Sequence, residues 1–299
     1  MRYLILILVM AMNPLFGDMG AIVPVQDVKL KEPAQRAIIA HNGKEEILIL
    51  GIDLDSPEST SILRFIPLPS EPIVKLAPEQ CFDKLQKLVE RYKLKYVVQY
   101  KGPFAGELEP IKLELHKKIG AHDITVLKVT DPSHFNEWVR NYFCKIGFSD
   151  IKLDTSIEGL VKDYIERRIC YFVFDYVALK KDTTHIRPVL YKFLSKNIYY
   201  PLKTSNLFGG NGTIILFLFS RDAHSFIGSG FMASTSAKIS DVELRMISPD
   251  AWDLMRSNRI VMQAFKYSGK LKFKRDIFAR VFTGMEELVP YSPHKDSEK

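Results

Sequence analysis

Asn42-Gly43 narrows what this chain can become more than any other pair of residues. Both residues tolerate positive φ, and the pair lies between two apolar runs, 36–41 and 45–54. An antiparallel hairpin is the only compact way to join such runs over so short a link. A second constraint comes from residues 213–220, which are apolar at nearly every position and follow the turn Gly209-Gly210-Asn211-Gly212. A strand that does not alternate must be covered on both faces, so this one belongs at the centre of a sheet.

Helices are signalled by apolar positions spaced three and four apart. One begins near Glu79, with Phe82, Leu85, Leu88, Val89 and Tyr92 on one face. Another opens at Asp131-Pro132, a good cap followed by a proline at the first helical position, and carries Phe135, Trp138, Val139, Tyr142 and Ile146. A third starts near Ser156 with Ile157, Leu160, Val161, Tyr164 and Ile165 inward, and a fourth is expected over 249–265. Strands are predicted at 62–66, 95–100, 111–115, 124–129, 169–179, 189–194, 242–247 and 270–274. No regular βαβ rhythm runs through this order. The expected class is therefore α+β, with mixed, largely antiparallel sheets and three to four amphipathic helices packed on one side.

The N-terminus has a short basic start (Met1, Arg2), an apolar run from Leu4 to about Phe16, and a small-residue region from Gly17 to Ala21. Residues 1–17 read as a signal peptide, with cleavage after Gly17, Gly20 or Ala21. The run is shorter than the roughly 20 residues of a stable bilayer anchor. An uncleaved N-terminal tether and a buried first strand are the alternatives. Residues 18–289 then form a single α+β domain, 290–299 a polar, disordered tail, and the mature chain has no transmembrane span.

The formal net charge is +7. It is concentrated between Arg256 and Arg280, where eight basic residues face one acid, Asp276. Lys270, Lys272, Lys274 and Arg275 are thus the candidate binding residues, for an anionic cell-envelope polymer or phospholipid headgroups. The competing explanation is that the three lysines guard an exposed edge strand against pairing with other chains. Nucleic acid is a poor partner, because no recognition motif accompanies the charge.

Cys81, Cys144 and Cys170 make an odd count. Of the possible pairs, Cys144 with Cys170 is favoured for a disulfide, since one ends a predicted helix and the other opens a nearby predicted strand, and three free thiols are the alternative. A thiol site built with His122-Asp123 is conceivable, although His122 could equally act as a turn cap. Asp53, Asp55 and Glu58 form an acidic turn that lacks the glycine and ligand spacing of a calcium loop. The seven histidines contain no zinc-binding spacing, so neither a metal nor another cofactor is expected. No Gly-x-Ser-x-Gly elbow is present to support a serine hydrolase.

Several segments together resemble the exported bacterial and archaeal family labelled domain of unknown function 2330. They are Pro24-Val25, Glu32-Pro33-Ala34-Gln35-Arg36-Ala37-Ile38-Ile39, the segment Ile66-Pro67-Leu68-Pro69-Ser70-Glu71-Pro72, and Ile119 to Leu127 followed by Asp131-Pro132 and the Trp138 helix. Tyr171-Phe172-Val173-Phe174 and Arg187-Pro188-Val189 extend the likeness, which covers roughly residues 20 to 220. The family's Cys-Gly-Gly element is replaced here by Met19-Gly20-Ala21. The resemblance implies export and a shared fold and transfers no catalytic residue. The expected function is that of a non-catalytic binding or scaffolding protein of the cell envelope. An extracytoplasmic hydrolase is the alternative.

Overall fold

The computed structural model describes residues 21–22, 35–52, 59–96, 109–110, 122–145, 155–179, 181, 186–207, 210–224, 226–227, 230–256, 259–280 and 286–287. The expected signal peptide at 1–17, the acidic turn at 53–58, residues 97–100 of the strand expected at 95–100, the strand expected at 111–115, Gly209 and the tail expected at 290–299 lie outside the described residues.

The first strands are β1 (Ala21–Ile22), β2 (Gln35–His41), β3 (Glu45–Ile52), β4 (Thr60–Leu68), β5 (Ile73–Leu76), β6 (Lys95–Tyr96), β7 (Glu109–Pro110) and β8 (His122–Lys128). They are followed by β9 (Tyr171–Leu179), β10 (Ile186–Leu194), β11 (Asn197–Tyr200), β12 (Asn211–Ser220) and β13 (Phe226–Ile227). The last are β14 (Met232–Ala233), β15 (Ala237–Ile239), β16 (Ile260–Lys270), β17 (Ile277–Arg280) and β18 (Glu286–Glu287). The helices are α1 (Cys81–Arg91), α2 (Pro132–Lys145), α3 (Thr155–Glu166), α4 (Asp241–Ile247) and α5 (Pro249–Met255), with a 3-10 segment, η1 (Leu202–Leu207).

The expected hairpin is present. Asn42 Oδ1 accepts from the backbone N–H groups of Lys44 and Glu45, both at 2.9 Å, while Gly43 takes φ 94°. This turn sets the β2–β3 register from Gln35 opposite Ile52 to His41 opposite Glu46. The eight-stranded sheet runs β14-β16-β12-β2-β3-β10-β5, with β15 also pairing β16. Within it β12 lies parallel to β2 and antiparallel to β16, the central position that its apolar run predicted. A second sheet, β1-β4-β9-β8, is antiparallel throughout.

The α+β class and the mixed, largely antiparallel sheets are as expected, but the helices do not all pack on one side. Every residue of β2 is buried, so both faces of the large sheet need cover. One face, with Ile38, Ile49, Phe217 and Met262, meets Leu85 of α1, Leu244 of α4 and Leu254 of α5. The opposite face, with Ile39, Leu50 and Leu218, packs towards the four-stranded sheet. That sheet in turn carries α2 and α3, because Phe65, Phe172 and Phe174 meet the rings of Phe135, Trp138 and Tyr164.

Gly51 of β3 shows how closely α1 approaches. A Cβ at this position would fall 2.5 Å from Phe82 Cε2, and the Arg36 guanidinium lies 5.3 Å from the centre of the same ring. The ring fills the space opened by the missing side chain. Gly51→Ala is expected to destabilise the protein by about 1–3 kcal/mol in urea unfolding, the usual cost of overpacking. A Phe82→Leu second change should recover part of that loss.

Two segments fold otherwise than their pattern predicted. Residues 242–247, expected as a strand, lie in α4, where Ser240 and Glu243 form a reciprocal capping box. The helix expected over 249–265 ends at Met255, Arg256 turns to φ 27°, and residues 260–265 belong to β16.

Candidate functional site

The basic segment is built from three neighbouring pieces. β16 ends at Lys270, residues 271–276 form an irregular turn, and β17 restarts at Ile277. The strand expected at 270–274 is therefore absent apart from its first residue. This removes the edge-guarding explanation for Lys272 and Lys274, since neither belongs to a strand.

The turn is pinned from beneath. The backbone N–H of Leu271 donates to Gly210 O at 2.8 Å, and its side chain is buried so tightly against Gly212 that a Cβ there would come within 2.9 Å of it. Asn206 of η1 clamps Phe273 by two bonds. Its Nδ2 donates to Phe273 O at 2.8 Å, and its Oδ1 accepts from Phe273 N at 2.7 Å. The Tyr267 hydroxyl donates to Lys270 O at 2.5 Å. With Leu271 held inward, Lys270, Lys272, Lys274 and Arg275 are all exposed.

Asp276, the single acid of the stretch, points the other way. Its buried carboxylate accepts from the Tyr164 hydroxyl at 2.9 Å, from Arg167 Nη1 at 3.0 Å and from Lys203 N at 2.8 Å. Burial pushes the Asp276 carboxyl above its ordinary range, against the pull of Arg167 and the Lys203 amide. Burial alone would lower Arg167, but Asp276, Tyr164 and Asp163 beside it hold the guanidinium protonated. The neighbouring Asp163 carries Arg167 at 2.6 Å and Lys203 Nζ at 2.6 Å. Both nearby carboxylates are thus already neutralised. Among the described residues, Lys270, Lys272 and Lys274 meet no carboxylate within ion-pair distance.

The other sequence candidates do not assemble into a site. Cys144 is exposed in the last turn of α2 and Cys170 is half-buried just ahead of β9, and both are free thiols in the structure. Cys81 is buried, and desolvation pushes its thiol up to about 12, which leaves it unreactive. Among the described residues, no three His, Cys, Asp or Glu side chains gather to hold a metal, and no helix is long and apolar enough to cross a membrane.

His122 is engaged elsewhere than any thiol. Its Nδ1 lies 2.8 Å and 3.0 Å from the two carboxylate oxygens of Asp175, and its Nε2 lies 2.7 Å from the Arg187 carbonyl. Arg64 Nη1 is 3.5 Å from the same carboxylate, with both side chains fully buried. On β10 of the other sheet, burial first and then the Asp175 charge raise the Tyr191 hydroxyl above its ordinary range. This network spans the gap between the sheets and was not anticipated from the sequence. Both ring nitrogens of His122 already face acceptors, so neither is offered to a substrate.

No family model matches the chain, and no curated protein matches it. Among solved structures, the crystal structure of baculovirus P35 is similar to it over 74% of this chain and 78% of that chain, at a TM-score of 0.45 and 10% sequence identity.

Proposed function

We propose that this chain is an exported, non-catalytic protein of the cell envelope that binds an anionic polymer or phospholipid headgroups through the turn at 270–275. One observation carries the reading. The lysines stand on a turn fixed from below, while the acid that would neutralise them is turned inward and held by Arg167 and Tyr164. A rigid display of charge loses little conformational entropy on binding. Attraction of this kind is long-ranged and weakened by salt. The export half of the reading rests on the N-terminal pattern and the family resemblance.

The test is a charge reversal. Lys270, Lys272 and Lys274 are changed together to Glu, and retention on isolated envelopes and on anionic vesicles is followed in a salt titration. At about 1 kcal/mol for each lysine near an anionic surface, the triple variant should bind about 100-fold more weakly at low salt. Reversal of the exposed Lys87, Lys95 and Lys238 gives the same change in net charge and should leave most of the binding. Equal retention of both triples would overturn the assignment. Loss on envelopes but not on vesicles would identify the polymer as the partner.

A further inference from the structure

β12 opens with Asn211-Gly212-Thr213, and no other asparagine of the sequence has Ser or Thr two residues on. Asn-x-Ser/Thr, with x other than Pro, is the acceptor pattern for N-linked glycosylation. Two of the three residues are explained by the fold. Gly212 is required by packing, because a Cβ there would fall 2.9 Å from Leu271 Cδ1. Thr213 Oγ1 lies 3.2 Å from Ser268 Oγ across the β12–β16 ladder.

Asn211 has no such structural employment. It is exposed, directly after Gly210 at φ 71°, and its amide makes no hydrogen bond among the described residues. Asn42 and Asn206 are bound at both ends of the amide. Asn42 Oδ1 accepts from Lys44 and Glu45 while Nδ2 donates to Leu254 O at 3.3 Å, and Asn206 grips Phe273. We infer that Asn211 is an N-glycosylation site, which takes an oligosaccharide on its exposed amide nitrogen.

The reaction is a glycosyl transfer from an oligosaccharide carried on a polyprenyl diphosphate. Asn211 Nδ2 forms a bond to the anomeric carbon, and the bond from that carbon to the diphosphate oxygen breaks. Nδ2 gives up one proton, and the polyprenyl diphosphate leaves. No electrons are exchanged with a further reagent.

The completed fold leaves room for the product. Among the described residues, β2 joins β12 from Ile214 onwards and leaves Asn211 without a strand on that side. On the other side Lys270 stands opposite Asn211 in the ladder, and opposite residues project from the same face about 5 Å apart. The first sugar would therefore lie beside the basic turn. The assignment rests on the export half of the reading above, because the transfer acts on chains delivered across a membrane. It holds whether or not the basic turn binds an anion.

The full chain, with its own N-terminus, is produced in a eukaryotic secretory host, and a second form carries residues 21–299 behind the host's own leader. The intact mass of each is measured before and after treatment with a peptide:N-glycosidase. The expected result is a gain of one glycan that the enzyme removes, leaving Asp at 211 in the tryptic peptide 204–221. Asn211→Gln and Thr213→Val should each abolish the gain, whereas Thr213→Ser, which keeps the hydroxyl, should retain it. The serine variant guards against a loss caused by misfolding. Modification of the second form alone would uphold the site and sink the export reading. Secreted protein from the second form that carries no glycan at 211 would overturn the inference.

Discussion

Asp175→Ala is expected to cost the fold about 3–5 kcal/mol in urea unfolding at neutral pH, the range found when one member of a buried ion pair is removed. Asp175 is fully buried on β9, in ion-pair contact with Arg64 of β4 and within 2.8 Å of His122 Nδ1 on β8. Its removal leaves the buried guanidinium without its carboxylate, and desolvation cannot be recovered where solvent does not reach. Replacing Arg64 with Met and Asp175 with Leu together should restore most of the loss, because an apolar pair of similar volume carries no such penalty. A loss below about 1 kcal/mol for Asp175→Ala would mean that the two sheets close without this network.

Phe135→Ala should be comparably severe, at about 3–5 kcal/mol. The Phe135 ring lies 5.5 Å from Phe65, 5.8 Å from Phe172 and 5.6 Å from Phe174, so it joins α2 to two strands at once. Truncation opens a cavity that three strand rings cannot all close. Trp138, one turn on, lies 4.3 Å from Phe174 and stacks on Tyr142, and it reports on the same contact. Its fluorescence should shift to the red before global unfolding in Phe135→Ala. Phe135→Leu should lose under about 1.5 kcal/mol and leave the emission near its native position. Equal stability of the alanine variant and the parent would show that α2 is held by its loops and not by this ring.

Much of the framework could be read from local chemistry. Asn42-Gly43 specified its own turn, Asp131-Pro132 marked the start of α2, and the unbroken apolar run of β12 announced a strand with two covered faces. Elsewhere two periods competed. Val242, Leu244 and Met246 alternate as in a strand, yet Val242 and Met246 lie exposed four residues apart while Leu244 and Ile247 point inward. The Ser240/Glu243 capping box was the better guide. Residues 260–265 are apolar enough for either helix or strand, and the pairing offered by β12 decided it.

The basic turn was legible as a count of charges but not as a structure. That Asp276 would point inward depends on Tyr164 and Arg167, more than a hundred residues earlier. The inter-sheet network was likewise hidden. Arg64, His122 and Asp175 lie on three separate strands, and each alone resembles an ordinary polar residue beside an apolar one.

The parallel pairing of β2 with β12 sets a condition on how the molecule is made. Gln35 must find Ile214, because β12 is the strand that covers that edge of β2. Contacts separated so widely form slowly, since a long loop must close before they reward it. Until residue 220 has been synthesised, the N-terminal hairpin presents an uncovered apolar edge able to recruit other chains. A nascent or truncated product ending before 211 should accordingly aggregate, and a chaperone that shields 35–41 should be needed longest of all.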